Sequence, residues 1–316
     1  MATNCFENFI GIKCVSTSAP KSGLYIDDLE GINLRFAADV ADSGFTSGIN
    51  LIQSKISFAT QLVLDEIAKF ASPYFRMNSL IDELKVGDWV SPVSYLSPAA
   101  ANKGVRITTR ESRMLRIRVQ SVQIRIQQPA FTGNIEINDG IFVQQYPFTT
   151  DVDGFAEVYP NYLSDTAEIY IVTSNTLINP LNTKVKSSCN CSTAKSRFLS
   201  ANGWNGSSTS STSFGLVVQA VAECSSDEIA CLLAQKIRFP VLYKSGIEIV
   251  KEAITTDRLN SVTLLDSDKC EFMLTEFEKQ YQTHFDTAVK SLPSLFSRMD
   301  DICVVCNQSR FVYGLP

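Results

Sequence analysis

Leu115-Arg116-Ile117-Arg118-Val119-Gln120-Ser121-Val122-Gln123-Ile124-Arg125-Ile126-Gln127 is the stretch whose reading decides the fold. Apolar and polar side chains alternate with a period of two on either side of Ser121, which is the pattern of strands that bury one face. Val105 and Ile107 alternate with Arg106 just upstream. Further strands are expected at 133–138, 140–145, 154–159 and 166–173, separated by turn clusters such as Asn138-Asp139-Gly140 and Asp151-Val152-Asp153-Gly154. Short strands at spacings near ten residues predict an antiparallel β-sandwich over 104–186.

Outward from that centre the period changes. On the N-terminal side, Ile52, Ile56, Ala59, Val63, Ile67 and Phe70 recur at spacings of three and four, which predicts a helix over 46–71 with Ser47 as N-cap and Pro73 as stop. The residues before it are loop-rich, so 1–103 reads as a loop-rich segment plus one helix. On the C-terminal side, 187–223 is dominated by Ser, Thr, Asn and Gly around Ser207 to Ser213 and reads as a linker or exposed loop. Over 224–316, Ser225-Ser226-Asp227-Glu228 is a capping box ahead of Ile229, Leu232, Leu233 and Ile237, with Pro240 marking a break or kink. A further helix opens near Asp266 to Asp268 and runs through Phe277 and Tyr281. The fold class is therefore α+β: a helical domain formed by the N- and C-terminal segments, with the sandwich inserted.

The composition narrows the chemistry. Of 316 residues, 45% are hydrophobic and 19% charged, with a net charge of −5. A surface so short of charge predicts extensive contact with other subunits. No apolar run approaches the ~20 residues of a membrane span, and Met1 to Phe6 lacks a signal peptide's basic and apolar regions, so folding in a cytoplasm is expected. The single histidine, His284, lies in a helical stretch with no nucleophile motif and no His-Glu-x-x-His pattern beside it, so it reads as a solvated or core-edge residue. Neither G-x-G-x-x-G nor G-x-x-x-x-G-K occurs. Asp151-x-Asp153-Gly154 resembles the start of a calcium loop but lacks its later ligands and reads as a hairpin turn. No catalytic residue and no cofactor is expected.

Nine cysteines, an odd number without an export signal, predict reduced thiols. Cys303-x-x-Cys306 has metal-ligand spacing, and Cys5 with Cys14 would complete a zinc site if the termini meet. The rival reading is buried or paired structural thiols.

Charge is concentrated in one place. Lys103, Arg106, Arg110, Arg113, Arg116, Arg118 and Arg125 stand against the lone Glu111. Alternation puts Arg116 and Arg118 opposite Leu115, Ile117 and Val119, pointing to solvent, a neighbouring subunit or nucleic acid. Arg106, Arg116 and Arg118 are thus the candidate interface or channel residues.

The order of Cys5-Phe6-Glu7-Asn8-Phe9-Ile10-Gly11-Ile12-Lys13-Cys14, Ser22-Gly23-Leu24-Tyr25-Ile26-Asp27-Asp28-Leu29-Glu30-Gly31-Ile32, the strand-rich centre, Asp257-Arg258-Leu259-Asn260 and Cys303-x-x-Cys306 resembles virion structural proteins of crAss-like and related phages of Bacteroidetes. The resemblance spans nearly the whole chain, though its motifs are short and none is catalytic. It implies a ring or tail-hub subunit of the virion neck or tail. Such a subunit is made in the host bacterial cytoplasm and assembles with copies of itself, in six-fold or twelve-fold symmetry, and with other neck or tail proteins. Around the DNA channel it would make non-specific contact with genomic DNA. The competing class is a carbohydrate- or host-surface-binding adhesin built on the sandwich. A cell-wall hydrolase would need acidic pairs in a groove and has the least sequence support.

Overall fold

The computed structural model describes residues 5–13, 15–16, 18–41, 45–76, 78–90, 92–97, 102–164, 166–173, 179–186, 193–255 and 267–305. The fold is α+β, and the chain divides into two compact units. One comprises Met1–Arg76, Ser226–Asp300 and Val304–Pro316; the other comprises Met77–Ser225 and Asp301–Cys303.

The first unit is mostly helical. A small parallel pair, β1 (Ile10–Gly11) and β2 (Leu24–Tyr25), precedes helices α1 (Leu34–Ala41) and α2 (Phe45–Ala71). Helices α3 (Ser226–Thr255) and α4 (Ser267–Phe296) come after the second unit in sequence. Ile52, Ala59, Val63 and Ile67 are buried on α2, as their spacing requires. Two details differ from the sequence reading. The helix starts at Phe45, which puts Ser47 inside its first turn. Phe70 is about half exposed, with its ring edge against Phe285 of α4 at 5.8 Å.

Helix α3 runs unbroken through Pro240, which is buried. Burial of Ile237, Val241, Ile249 and Val250 holds the turns on either side of it, so tertiary packing outweighs the lost N–H. Polar ties join these helices as well. Lys55 pairs with Glu252 at 2.8 Å, and Glu66 takes Lys244 at 3.5 Å and the Tyr281 hydroxyl. Burial, and then the hydrogen bond to Glu66, hold the Tyr281 phenol far above its ordinary pKa. His284 stacks on Phe239 and Tyr243 of α3, with ring centroids at 4.9 and 5.4 Å, and thus serves helix packing.

The second unit holds two larger antiparallel sheets. In chain order its strands are β3 (Leu80–Val86), β4 (Asp88–Trp89), β5 (Lys103–Thr109), β6 (Leu115–Arg125), β7 (Thr132–Asn138), β8 (Val143–Thr149), β9 (Phe155–Val158), β10 (Tyr162–Leu163), β11 (Glu168–Thr173), β12 (Thr183–Lys184), β13 (Thr193–Lys195), β14 (Leu199–Trp204), β15 (Thr209–Ser210) and β16 (Leu216–Cys224). One sheet runs β10-β6-β16-β3, with β9 also on β6. The other runs β13-β14-β5-β11-β7-β8, with β15 on β14. Strands β4 and β12 form a separate pair. On β6, Leu115, Ile117, Val119, Val122 and Ile124 are all fully buried, as is Ile126 just beyond it. The change of phase at Ser121 is a bulge, where the register against β16 shifts between Gln219 and Ala220.

Three sequence expectations are corrected here. The stretch 187–223 is not simply a linker: its described part carries β13, β14, β15 and most of β16, a strand at the centre of its sheet. The strand expected at 140–145 begins only at Val143, because the buried Asp139 carboxylate accepts the N–H groups of Ile141 and Phe142 and bends the chain there. The expected reduced thiols are overturned at four positions. Cys5 is bonded to Cys231 and Cys224 to Cys303, with Cα separations of 5.6 and 5.7 Å that suit a bridge. Cys270 of α4 is buried.

The turn expected at Asp151–Gly154 is present. Asp151 accepts the N–H groups of Asp153 and Phe155, each at 2.9 Å, and Gly154 has φ 73°. A Cβ on Gly154 would lie 2.0 Å from the Ile126 carbonyl oxygen, so only glycine fits.

The Cys224–Cys303 bridge has a direct test. Reduction, or joint replacement of Cys224 and Cys303 by Ser, is expected to lower the stability of the β unit by about 2–5 kcal/mol. The readout is the urea midpoint measured by near-ultraviolet circular dichroism, and a midpoint indifferent to reductant contradicts the pairing.

Candidate assembly surfaces

Strand alternation directs the candidate arginines outward, but the basic island is split between the two sheets. Arg106 lies on β5, and Arg116 and Arg118 on β6. Each of the first and last meets an acid distant in sequence. The Arg106 guanidinium donates Nε–H and Nη2–H to the Glu168 carboxylate at 2.7 and 3.0 Å. Arg118 grips Glu223 at 2.5 and 3.1 Å and donates to Asn161 at 3.2 Å. Arg116 donates to the carbonyls of Arg113 and Leu115. Two-point pairing of this kind fixes geometry as well as charge. Glu223 is only 4% exposed, so Arg118 neutralises a carboxylate that would otherwise be stranded in a nearly dry site.

The Arg106 hydrogen bond, working against partial burial, holds the Glu168 carboxyl below its usual range. Around the pair, β-register builds a cross-strand row. Asn138 of β7, Tyr170 of β11, Arg106 of β5, Asn202 of β14 and Thr193 of β13 are successive partners. Trp204 stands next along β14 on the same face, its ring edge to Tyr170 at 4.9 Å. Sequence reading placed Trp204 in a polar loop and so missed this row. The available signal was the alternation of Leu199, Ala201 and Gly203 with Ser200, Asn202 and Trp204, muted because two of the inward residues are small.

A second surface lies at the β7–β8 turn. Ile141, Phe142 and Val143 are 55, 56 and 58% exposed, three consecutive apolar side chains in water. Their backbone is held by Asp139, which is buried and accepts the Ile141 and Phe142 N–H groups at 3.0 and 2.8 Å and the Tyr162 hydroxyl at 2.8 Å. Thr166 donates to the Asp139 carbonyl at 2.7 Å, and Asn138 caps the Gly140 N–H at 2.8 Å.

A third surface is a groove of about 1190 Å³ in the helical unit, between the N-terminal segment and α2. Phe9 and Ile12 are buried along it, and Phe6, Ile56, Phe58 and Leu64 add apolar wall. Phe58 is 51% exposed, and among the described residues Glu7 is the charged member of the lining. The segment bearing Phe6 and Phe9 is anchored by the Cys5–Cys231 disulfide, by Ser22 donating to the Phe9 carbonyl, and by the Lys13–Asp28 ion pair at 2.6 Å.

The proposed zinc ligands are not brought together. Cys5 and Cys303 are consumed in separate disulfides, while Cys14 and Cys306 lie outside the described residues. Asp257-Arg258-Leu259-Asn260, part of the family resemblance, also lies outside them. Among the described residues no cluster of three or more His, Cys, Asp or Glu could hold a metal, and no helix is long and apolar enough to cross a membrane.

No family model matches the chain, and no curated protein matches it. Among solved structures, the D1-D2-D3 domains of the flagellar cap protein FliD from Escherichia coli are similar at 10% identity over 78% of this chain and 99% of that one. The TM-score of 0.14 is too low to carry any argument about fold or function.

The ion pairs generate two expectations. Arg118→Ala, which strands the Glu223 carboxylate, should cost about 2–4 kcal/mol, measured by urea unfolding. Because Glu168 has a lowered folded pKa, its contribution to stability is complete above the ordinary carboxylate range and is lost as pH falls through the folded value. Glu168→Gln should therefore reduce stability at neutral pH and flatten the acid limb of the stability–pH curve; an unchanged acid limb contradicts the pairing.

Proposed function

We propose that this chain is a phage virion structural protein, a ring or tail-hub subunit of the neck or tail assembly around the DNA channel. Its architecture suits that role as a helical domain built from both chain ends with an inserted antiparallel sandwich. Its partners are copies of itself and other neck or tail proteins, and it is made in the host bacterial cytoplasm. The reading is of a structural rather than a catalytic protein, and it needs no cofactor.

The observation that supports self-assembly most directly is the braced turn presenting Ile141, Phe142 and Val143 to water. Contiguous exposed apolar side chains on a surface already poor in charge are costly unless a partner covers them. The family resemblance supplies the virion. Arg106 and Arg118, already occupied by Glu168 and Glu223, contribute through the faces they organise more than as free cations for DNA.

One observation favours the adhesin reading: the row Asn138, Tyr170, Arg106, Asn202 and Thr193 with Trp204 beside it offers aromatic and planar polar groups on one sheet face. Native mass spectrometry over a range of protein concentrations separates the two. A closed oligomer of one stoichiometry is expected, whereas a persistent monomer that binds glycans and loses that binding on Trp204→Ala would establish the adhesin instead.

A further inference from the structure

We infer that the apolar turn of one copy, Ile141-Phe142-Val143, seats in the α2 groove of a second copy. The inference rests on the reading of the chain as a self-assembling subunit and names the contact that assembly uses.

The turn is shaped before it meets anything. Hairpin turns ordinarily carry Gly, Asn or Asp at their exposed positions. Here the Asn-Asp-Gly that would serve that purpose is succeeded by three apolar side chains, each more than half exposed. The Asp139 carboxylate fixes two of their N–H groups and is itself fixed by Tyr162. A knob held this way loses little conformational freedom on docking, which is what makes a small apolar anchor effective.

The groove has the matching properties. Phe6 and Phe58 stand at its walls over buried Phe9 and Ile12, and the lining segment is anchored at Cys5 and Lys13. Charge separates this occupant from others. Residues 140–149 contain no acidic or basic side chain, and among the described residues the groove lining has the single carboxylate of Glu7. A neutral knob entering a nearly neutral groove strands no charge, whereas the ion-paired faces around Arg106 or Arg118 would bring charged groups into it. Gln53 and Ser57 along the helix line the groove where the backbone of the incoming turn would lie.

Knob and groove are different patches of the chain, so copies joined head to tail through them form a ring when the rotation between neighbours completes a circle. Two knobs packed together would instead give an isolated two-fold dimer.

The test uses the full chain with a benzophenone amino acid in place of Phe142, irradiated as a mixture of normal and ¹⁵N-labelled copies. Mixed-isotope crosslinks from position 142 to residues 6–18 or 53–64 are the expected result. Phe58→Asp, a change at an exposed position, should weaken association about 30-fold or more without altering the circular dichroism spectrum. Crosslinks to position 142 of the other copy, to another surface or only within one copy, in a protein that still oligomerises, overturn the knob-in-groove contact and leave the subunit reading standing. A protein monomeric at every concentration overturns both.

Discussion

β16 lies between β6 and β3, and a strand in that position must satisfy both backbone edges with ladder bonds and both faces with apolar contact. Leu216, Val217, Val218, Ala220, Val221 and Ala222 meet the second requirement, since each is at most 4% exposed. The last residues of the strand are pinned from three sides. Glu223 is held by Arg118, Cys224 by Cys303, and Ser225 donates its N–H to the Met114 carbonyl. Helix α3 begins at the next residue. Any slip of one residue along β6 would turn Glu223 and Cys224 to opposite faces and break all of these ties at once.

That same strand explains where the sequence stops being readable. β6 was legible because one of its faces is polar and only half-buried: Arg116, Arg118, Gln123 and Arg125 alternate with buried Leu, Val and Ile, and even its bulge shows as a change of phase at Ser121. β16 is buried on both faces for most of its length, with no polar period to mark it, so its apolar run disappears into the polar sequence before it. β14 was hidden for the opposite reason, since Ala201 and Gly203 occupy the inward positions where larger residues would have announced a strand. The long helices were legible from spacing, although Pro240 shows that a local breaker yields when the turns around it are buried.

The candidate surfaces were legible only in part. Alternation is a local property, and it sent the arginines outward. Their partners lie 62 and 105 residues away, at distances that only register can close. A stretch that looks strongly basic in sequence is therefore partly neutralised in space, and the assignment of interface residues shifts towards uncharged ones. The cysteines carry the same lesson. Spacing suggested Cys303 with Cys306, whereas folding brings Cys303 to Cys224, beside the carbonyl of Met114.

The two disulfides among the described residues also define a covalent route for mechanical load. Tension applied to the chain outside Cys5 and Cys303 crosses from Cys5 to Cys231, runs along the backbone back to Cys224, and crosses again to Cys303. Only that short stretch, the end of β16 and the first turns of α3, lies between the two bridges. The other strands of the two large sheets, with α2 and α4, lie in covalent loops that these bridges close, off the direct path between them. Load entering at Cys5 and leaving at Cys303 therefore concentrates on the junction of β16 and α3, where Glu223, Cys224 and Ser225 are already tied down.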